Sequence, residues 1–181
     1  MHAVMTFCSC KLMTSELQFG FKPKSSTSHC TFVLKEALAY YMDNKSSVDC
    51  AFLDATKAFD RVNYCKLFRL LVRRNLPPLL LRVMLNFMEF LGVVIFLNIF
   101  WLNGVKQGGL LSPDLFFVYL DELLHALSAA KVGCYVCDIF VGALAYADDL
   151  VLTAHSATAL RKMLAICDAL CLRVYCELQC S

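Results

Sequence analysis

Three aspartates have the type and placement to do chemistry: Asp54, which closes the short apolar run Val48 to Leu53, and the adjacent pair Asp148–Asp149, set between ALAYA and LVLTA. Two carboxylates about 4 Å apart repel by roughly 1 kcal/mol in bulk water, and by more beside a protein. A divalent cation removes that cost. Mg²⁺ takes one or two carboxylates and completes its shell with water and phosphate oxygens. Two such ions held by three carboxylates suit displacement at phosphorus, with a 3′-hydroxyl activated and a leaving pyrophosphate stabilised. Each aspartate also has a plainer explanation. Asp is a common turn former, and Asp54 ahead of ATKAF can cap a helix. Asp60 reads as a solvated helix residue or a partner of Arg61 and receives no metal role.

The elements that must position these residues follow from periodicity and punctuation. Residues 18–29, QFGFKPKSSTSH, form a polar strip with Gly20 and Pro23. A helix is predicted from Cys30 to Met42, a turn over 43–47, and a strand from Val48 to Leu53 that ends at Asp54. Residues 57–74 have Phe59, Val62, Leu67, Leu70 and Leu71 at helical spacing, with Arg69, Arg73 and Arg74 where cations suit the dipole. Pro77–Pro78 punctuates, and residues 79–90 read as another helix. Gly104 to Pro113 is a loop with three glycines. An amphipathic helix over 114–128 begins just after Ser112–Pro113. The YADD string forms the tip of a β-hairpin, and residues 157–170 close with a helix. The order predicts an α+β domain.

Composition narrows the class without naming a function. The 181 residues are 59% hydrophobic and 18% charged, which excludes a disordered chain. Net charge is +2, so no basic footprint points to nucleic acid. Eleven cysteines cannot all pair internally. Cys134 and Cys137 have CxxC spacing but lack a second ligand pair for zinc. Cys167, Cys171, Cys176 and Cys180 resemble cysteines on a helix or in a drifting tail. Free thiols in a reducing, intracellular compartment are the expectation, with nucleus and cytoplasm not distinguished. No secretory signal is read at the N-terminus. The stretch Phe90 to Leu102 is too short for the roughly 20 residues a span needs.

Four strings then occur in order: QFGFKPKSSTSH, FLDATKAFDRV, NGVKQGGLLSPDLFFVYLDELL and ALAYADDLVLTAHSATALRKMLAIC. Together they resemble the reverse transcriptase of non-LTR (LINE-type) retrotransposons. The resemblance implies an α+β right-hand polymerase core, fingers and palm with an antiparallel palm sheet, over residues 18–167. Residues 1–17 form an atypical N-terminal segment and 168–181 a divergent tail. It implies RNA-directed DNA synthesis with two Mg²⁺ ions, or Mn²⁺ in their place. The partners it implies are an RNA template, a DNA primer and dNTPs, with no small-molecule cofactor, no membrane and an oligomeric state left undefined.

By the same resemblance, Asp54, Asp148 and Asp149 are the catalytic metal ligands, and Ala55 presents its carbonyl near the metal. Phe59 matches the aromatic position that senses the sugar 2′ position and favours deoxynucleotides, or is a core Phe on a helix. Gln107 and Gly108 match the loop that contacts template and incoming nucleotide, where glycine lets backbone approach closely. Lys22 and Lys24 match basic positions near the triphosphate, or are two surface lysines. Tyr146 and Ala147 complete the hairpin and shape the primer site. His29, His125 and His155 have no evident partners.

The pattern departs in three places. No Arg-Pro-Ile-like string precedes QFGF, residues 87–102 are unusually apolar, and the C-terminal CLRVYCELQCS lacks the Phe-Asn-x-x-Lys segment. The expectation is an incomplete core without thumb or endonuclease. An inactive retrotransposon-derived fragment, a small membrane-anchored protein and a cysteine-rich metal binder are the alternatives.

Overall fold

The structure, a computed structural model, describes residues 15–20, 22, 25–54, 64–90, 112–170 and 175–177. Its described residues fall into two compact units, one drawn from 57–119 and the other from 15–56 and 120–181.

The second unit holds the sheet. It begins with helix α1 (Thr27–Asp43), whose N-cap Ser26 accepts a hydrogen bond from the His29 amide at 3.3 Å. That satisfies one of the orphan donors at the helix start. The helix ends in a Schellman turn. Lys45 takes φ 54°, and the Ser46 and Lys45 amides donate back to the Tyr41 and Met42 carbonyls, each at 2.9 Å. Strand β1 (Asp49–Asp54) follows. Two hairpins come later: β2 (Tyr135–Val136) with β3 (Ile139–Phe140), and β4 (Ala143–Tyr146) with β5 (Asp149–Ala154). The strand β6 (Tyr175–Glu177) completes an antiparallel sheet of order β4-β5-β1-β6.

Alternation divides that sheet into two faces. Ala51, Leu53, Leu150, Leu152, Ala143 and Ala145 are buried on one. Helix α5 (Ala157–Ala169), capped by Ser156, contacts β5 and β1 and buries Ala159, Leu160, Met163 and Cys167, which share one helical side. Burial pushes the Cys167 thiol up to about 12, so it stays neutral. On the other face Phe52 and Asp149 are exposed and Val151 is half-buried. Helix α1 meets β2 and β4, where the Tyr41 hydroxyl accepts from the Tyr135 amide and donates to its carbonyl, at 2.8 and 2.9 Å.

In the first unit, α2 (Tyr64–Arg73) buries Leu67 and Leu71, one turn apart. It stops at Asn75, φ 53°, in the same Schellman geometry, with the Leu76 amide donating to the Leu71 carbonyl. Helix α3 (Pro78–Phe90) opens on a proline, the residue suited to a first helical turn. Lys66 Nζ lies 5.1 Å from the Tyr119 ring centroid, a cation–π contact.

Helix α4 (Ser112–Ala129) takes in Ser112 and Pro113, which the sequence reading assigned to the preceding loop. It is also less amphipathic than expected: Leu115 to Leu120 are buried without interruption. Six consecutive buried residues cover every side of that stretch, which needs no polar face, while His125 and Ala129 further along are exposed. No helix among the described residues is long and apolar enough to cross a membrane, and residues 91–102 lie outside them.

Candidate active site

The site is built on the register between β1 and β5. Asp54, the last residue of β1, pairs directly with Asp149, the first of β5. Opposed positions of an antiparallel pair lie about 4.5–5.5 Å apart at Cα. Both neighbouring strands extend the row. Tyr146 of β4 pairs with Asp149, and Tyr175 of β6 with Asp54, giving the order Tyr146, Asp149, Asp54, Tyr175 across four strands. Asp148 occupies the turn beside Ala147; it is half-buried, and Asp149 is exposed. Two aspartate positions separated by more than 90 residues of chain are thus adjacent in register, with a third next to them. Their oxygens are hard donors, which suits Mg²⁺ or Mn²⁺ over softer ions. The described side chains include no cluster of three ligating groups; that of Asp54 lies outside them.

The turn is braced from the N-terminal side of the chain. Leu17 to Phe19 run parallel to β4 at its free edge, bridging at Gln18 and Ala145. The Phe19 amide donates to the Ala145 carbonyl and the Ala145 amide to the Leu17 carbonyl, both at 2.8 Å. Gln18 is 1% exposed, and its Nε2 donates to the Ala147 carbonyl at 3.5 Å. Gly20 presses on the same residue: a Cβ there would collide with the Ala147 amide nitrogen and come 2.9 Å from its Cα. Only glycine permits so close an approach. Ala147 itself has φ 57°, a left-handed conformation that costs an alanine about 1–2 kcal/mol.

A buried carboxylate anchors this brace. Asp121 of α4 is 3% exposed and accepts from the Ser15 amide at 2.6 Å, while its other oxygen lies 3.4 Å from His125 Nε2. Lys22 donates to the Ser15 carbonyl at 2.5 Å. Burial lowers the Lys22 ammonium from its ordinary value, against the opposing pull of Asp121 and Glu16.

The placements therefore sort as follows. Asp54, Asp148, Asp149 and Tyr146 come together. Lys22 is tied to Ser15 and half-buried, so it is not a free surface lysine. His125, read from sequence as partnerless, pairs with Asp121 one turn away. Cys167 lies on α5 and Cys176 in β6, which separates two cysteines expected on one helix or tail. In the CxxC pair Cys134 is buried and Cys137 exposed, and burial raises the Cys134 thiol away from the thiolate a metal would need. Ala55, Phe59, Asp60, Gln107, Gly108, Lys24, Cys171 and Cys180 lie outside the described residues. Sequence reasoning missed Gln18 and Asp121 as functional supports. The available signal for Asp121 was an acid embedded in the apolar run of α4, and for Gln18 its place in the QFGF string.

Residues 4–179 match the family described as reverse transcriptase (RNA-dependent DNA polymerase). The chain is 30% identical over 154 residues to the retrovirus-related Pol polyprotein from type-2 retrotransposable element R2DM of Drosophila melanogaster, covering 81% of this chain and 14% of the relative. It is 35% identical over 126 residues to the Pol polyprotein from type-1 retrotransposable element R2 of Nasonia vitripennis, covering 66% and 12%. A corresponding polyprotein of Popillia japonica is 47% identical over 51 residues, 28% of this chain and 8% of its own. The chain thus spans a seventh or less of the length of these relatives.

Proposed function

This chain belongs to the reverse transcriptase family, and from that premise we propose that it forms the fingers and palm of an RNA-directed DNA polymerase from a non-LTR retrotransposon, acting inside the cell. Its core is residues 18–167. Its substrates are dNTPs, its partners an RNA template and a DNA primer. The observation that carries this reading is the β1–β5 register, which sets Asp54 opposite Asp149 with Asp148 in the adjoining turn.

Each residue then has a task. Asp54, Asp148 and Asp149 hold the metal pair, with the Ala55 carbonyl beside them. When bound, Mg²⁺ supplies charge neutralisation and lowers the pKa of a coordinated hydroxyl. The three carboxylates concentrate negative charge at one end of the sheet, so the site is favourable only while that charge is shared with a cation. Tyr146, next in the row, supports the primer terminus. Phe59 reads the sugar 2′ position, Gln107 and Gly108 lie along the template and incoming nucleotide, and Lys22 and Lys24 draw the triphosphate. Holding primer and nucleotide in line converts a bimolecular step to a local one.

The test is primer extension on a homopolymer RNA template with a DNA primer, Mg²⁺ and dNTPs, using Asp148→Ala/Asp149→Ala protein prepared identically. Extension by the wild type alone is the expected result. No extension by a wild type that melts cooperatively contradicts the proposal and leaves an inactive retrotransposon-derived fragment.

A further inference from the structure

The buried amide of Gln18 has no use that folding stability explains. Its Oε1 is buried with no hydrogen-bond partner, and an unsatisfied acceptor of this kind costs about 1–3 kcal/mol. Among the described residues its one side-chain bond, Nε2 to the Ala147 carbonyl, is long at 3.5 Å, so little is recovered there. Reversing the amide would set oxygen against oxygen, which fixes its orientation.

That bond falls on the peptide joining Ala147 to Asp148, the first carboxylate of the turn. A Cβ on Gly20 would come within 3.3 Å of the nitrogen, Cα and Cβ of the same Ala147, so the two backbones are closely apposed, and the ladder from Leu17 and Phe19 holds Ala145 two residues earlier. Ala147 is thus contacted on its amide, its α-carbon and its carbonyl while it sits at φ 57°. The carbonyl contact is the only one of these made by a side chain.

We propose that Gln18 is a positioning residue of the acidic hairpin: its amide orients the Ala147–Asp148 peptide and thereby sets the Asp148 and Asp149 carboxylates for a divalent cation. The inference rests on the metal-dependent function proposed above. It makes Gln18 a residue held at a cost in stability for the sake of geometry.

Gln18→Met keeps the volume and removes both polar atoms. In this variant the melting temperature is unchanged or higher, because an unsatisfied buried acceptor is gone. Mn²⁺ affinity, read by electron paramagnetic resonance of the free ion, falls roughly tenfold, the scale seen when partners that orient metal ligands are removed. In primer extension kcat falls by a similar factor with KM for dNTP unchanged. Unaltered Mn²⁺ affinity in the variant overturns the proposal, and a lowered melting temperature with unaltered affinity reduces Gln18 to a packing residue. If the wild type binds no Mn²⁺, the functional reading fails by itself. Hydrogen exchange over residues 145–150 then decides the inference separately: faster exchange in Gln18→Met sustains it and equal rates overturn it.

Discussion

The β2–β3 and β4–β5 hairpins both reverse through two residues, Cys137–Asp138 and Ala147–Asp148, and the first of each pair is left-handed, at φ 53° and 57°. Locally the two turns are near copies, each a non-glycine residue followed by aspartate. Their surroundings differ. At the first, Cys137, Asp138 and Ile139 are all exposed. At the second, the strip from Leu17 to Gly20 pairs with β4 and presses on Ala147, and β1 brings Asp54 opposite Asp149. An aspartate in a turn is what turn chemistry delivers; the opposing strand and the brace are what distinguish a site from a turn.

The comparison can be broken most directly at the two aspartates. Asp148→Asn lowers primer extension on the order of 10³-fold, about 4 kcal/mol of barrier, whereas Asp138→Asn leaves it within about twofold. Equal losses would mean that charge near any turn suffices. Next in size is the brace. Gly20→Ala drives a methyl into Ala147 backbone and destabilises by about 3 kcal/mol, the upper end for overpacking, read as a shifted urea midpoint. No substitution at the exposed turn has a matching effect. The anchor below it is weaker: Asp121→Asn keeps an acceptor for the Ser15 amide but loses its charge, at about 1–2 kcal/mol. Smallest are the paired relaxations. Cys137→Gly and Ala147→Gly each gain about 0.5–1 kcal/mol, the left-handed strain less the added chain entropy of glycine. Gains differing by more than about 1 kcal/mol would show that the turns are not local equivalents.

Much of this organisation was legible in the residues. The strand ending at Asp54, the hairpin carrying YADD, and helices near 30–42, 79–90 and 157–170 all follow from short apolar runs and their punctuation, and the structure has each within a few residues of its expected bounds. The four ordered strings were enough to identify the family. What could not be read was pairing at a distance. The β1–β5 register joins positions far apart in sequence, and no local period encodes it. Residues 18–20 were read as the start of a polar strip, because the bonds that pair Leu17 and Phe19 with β4 leave no mark on the local pattern. The β2–β3 hairpin, two residues per strand, is too short to show alternation. Helix α4 was read as amphipathic, yet Asp121 within it is buried because Ser15 and His125 satisfy it.

The most direct measurement is thermal melting of the chain across a Mg²⁺ titration, beside Asp148→Asn/Asp149→Asn. A ligand that binds only the folded state raises stability by RT ln(1 + [L]/Kd), so Mg²⁺ at roughly a hundred times its Kd lifts the wild-type midpoint by about 5–10 °C. The account predicts that rise in the wild type and its loss in the double variant. Midpoints that move equally in both proteins, or in neither, would contradict a metal site at the braced hairpin.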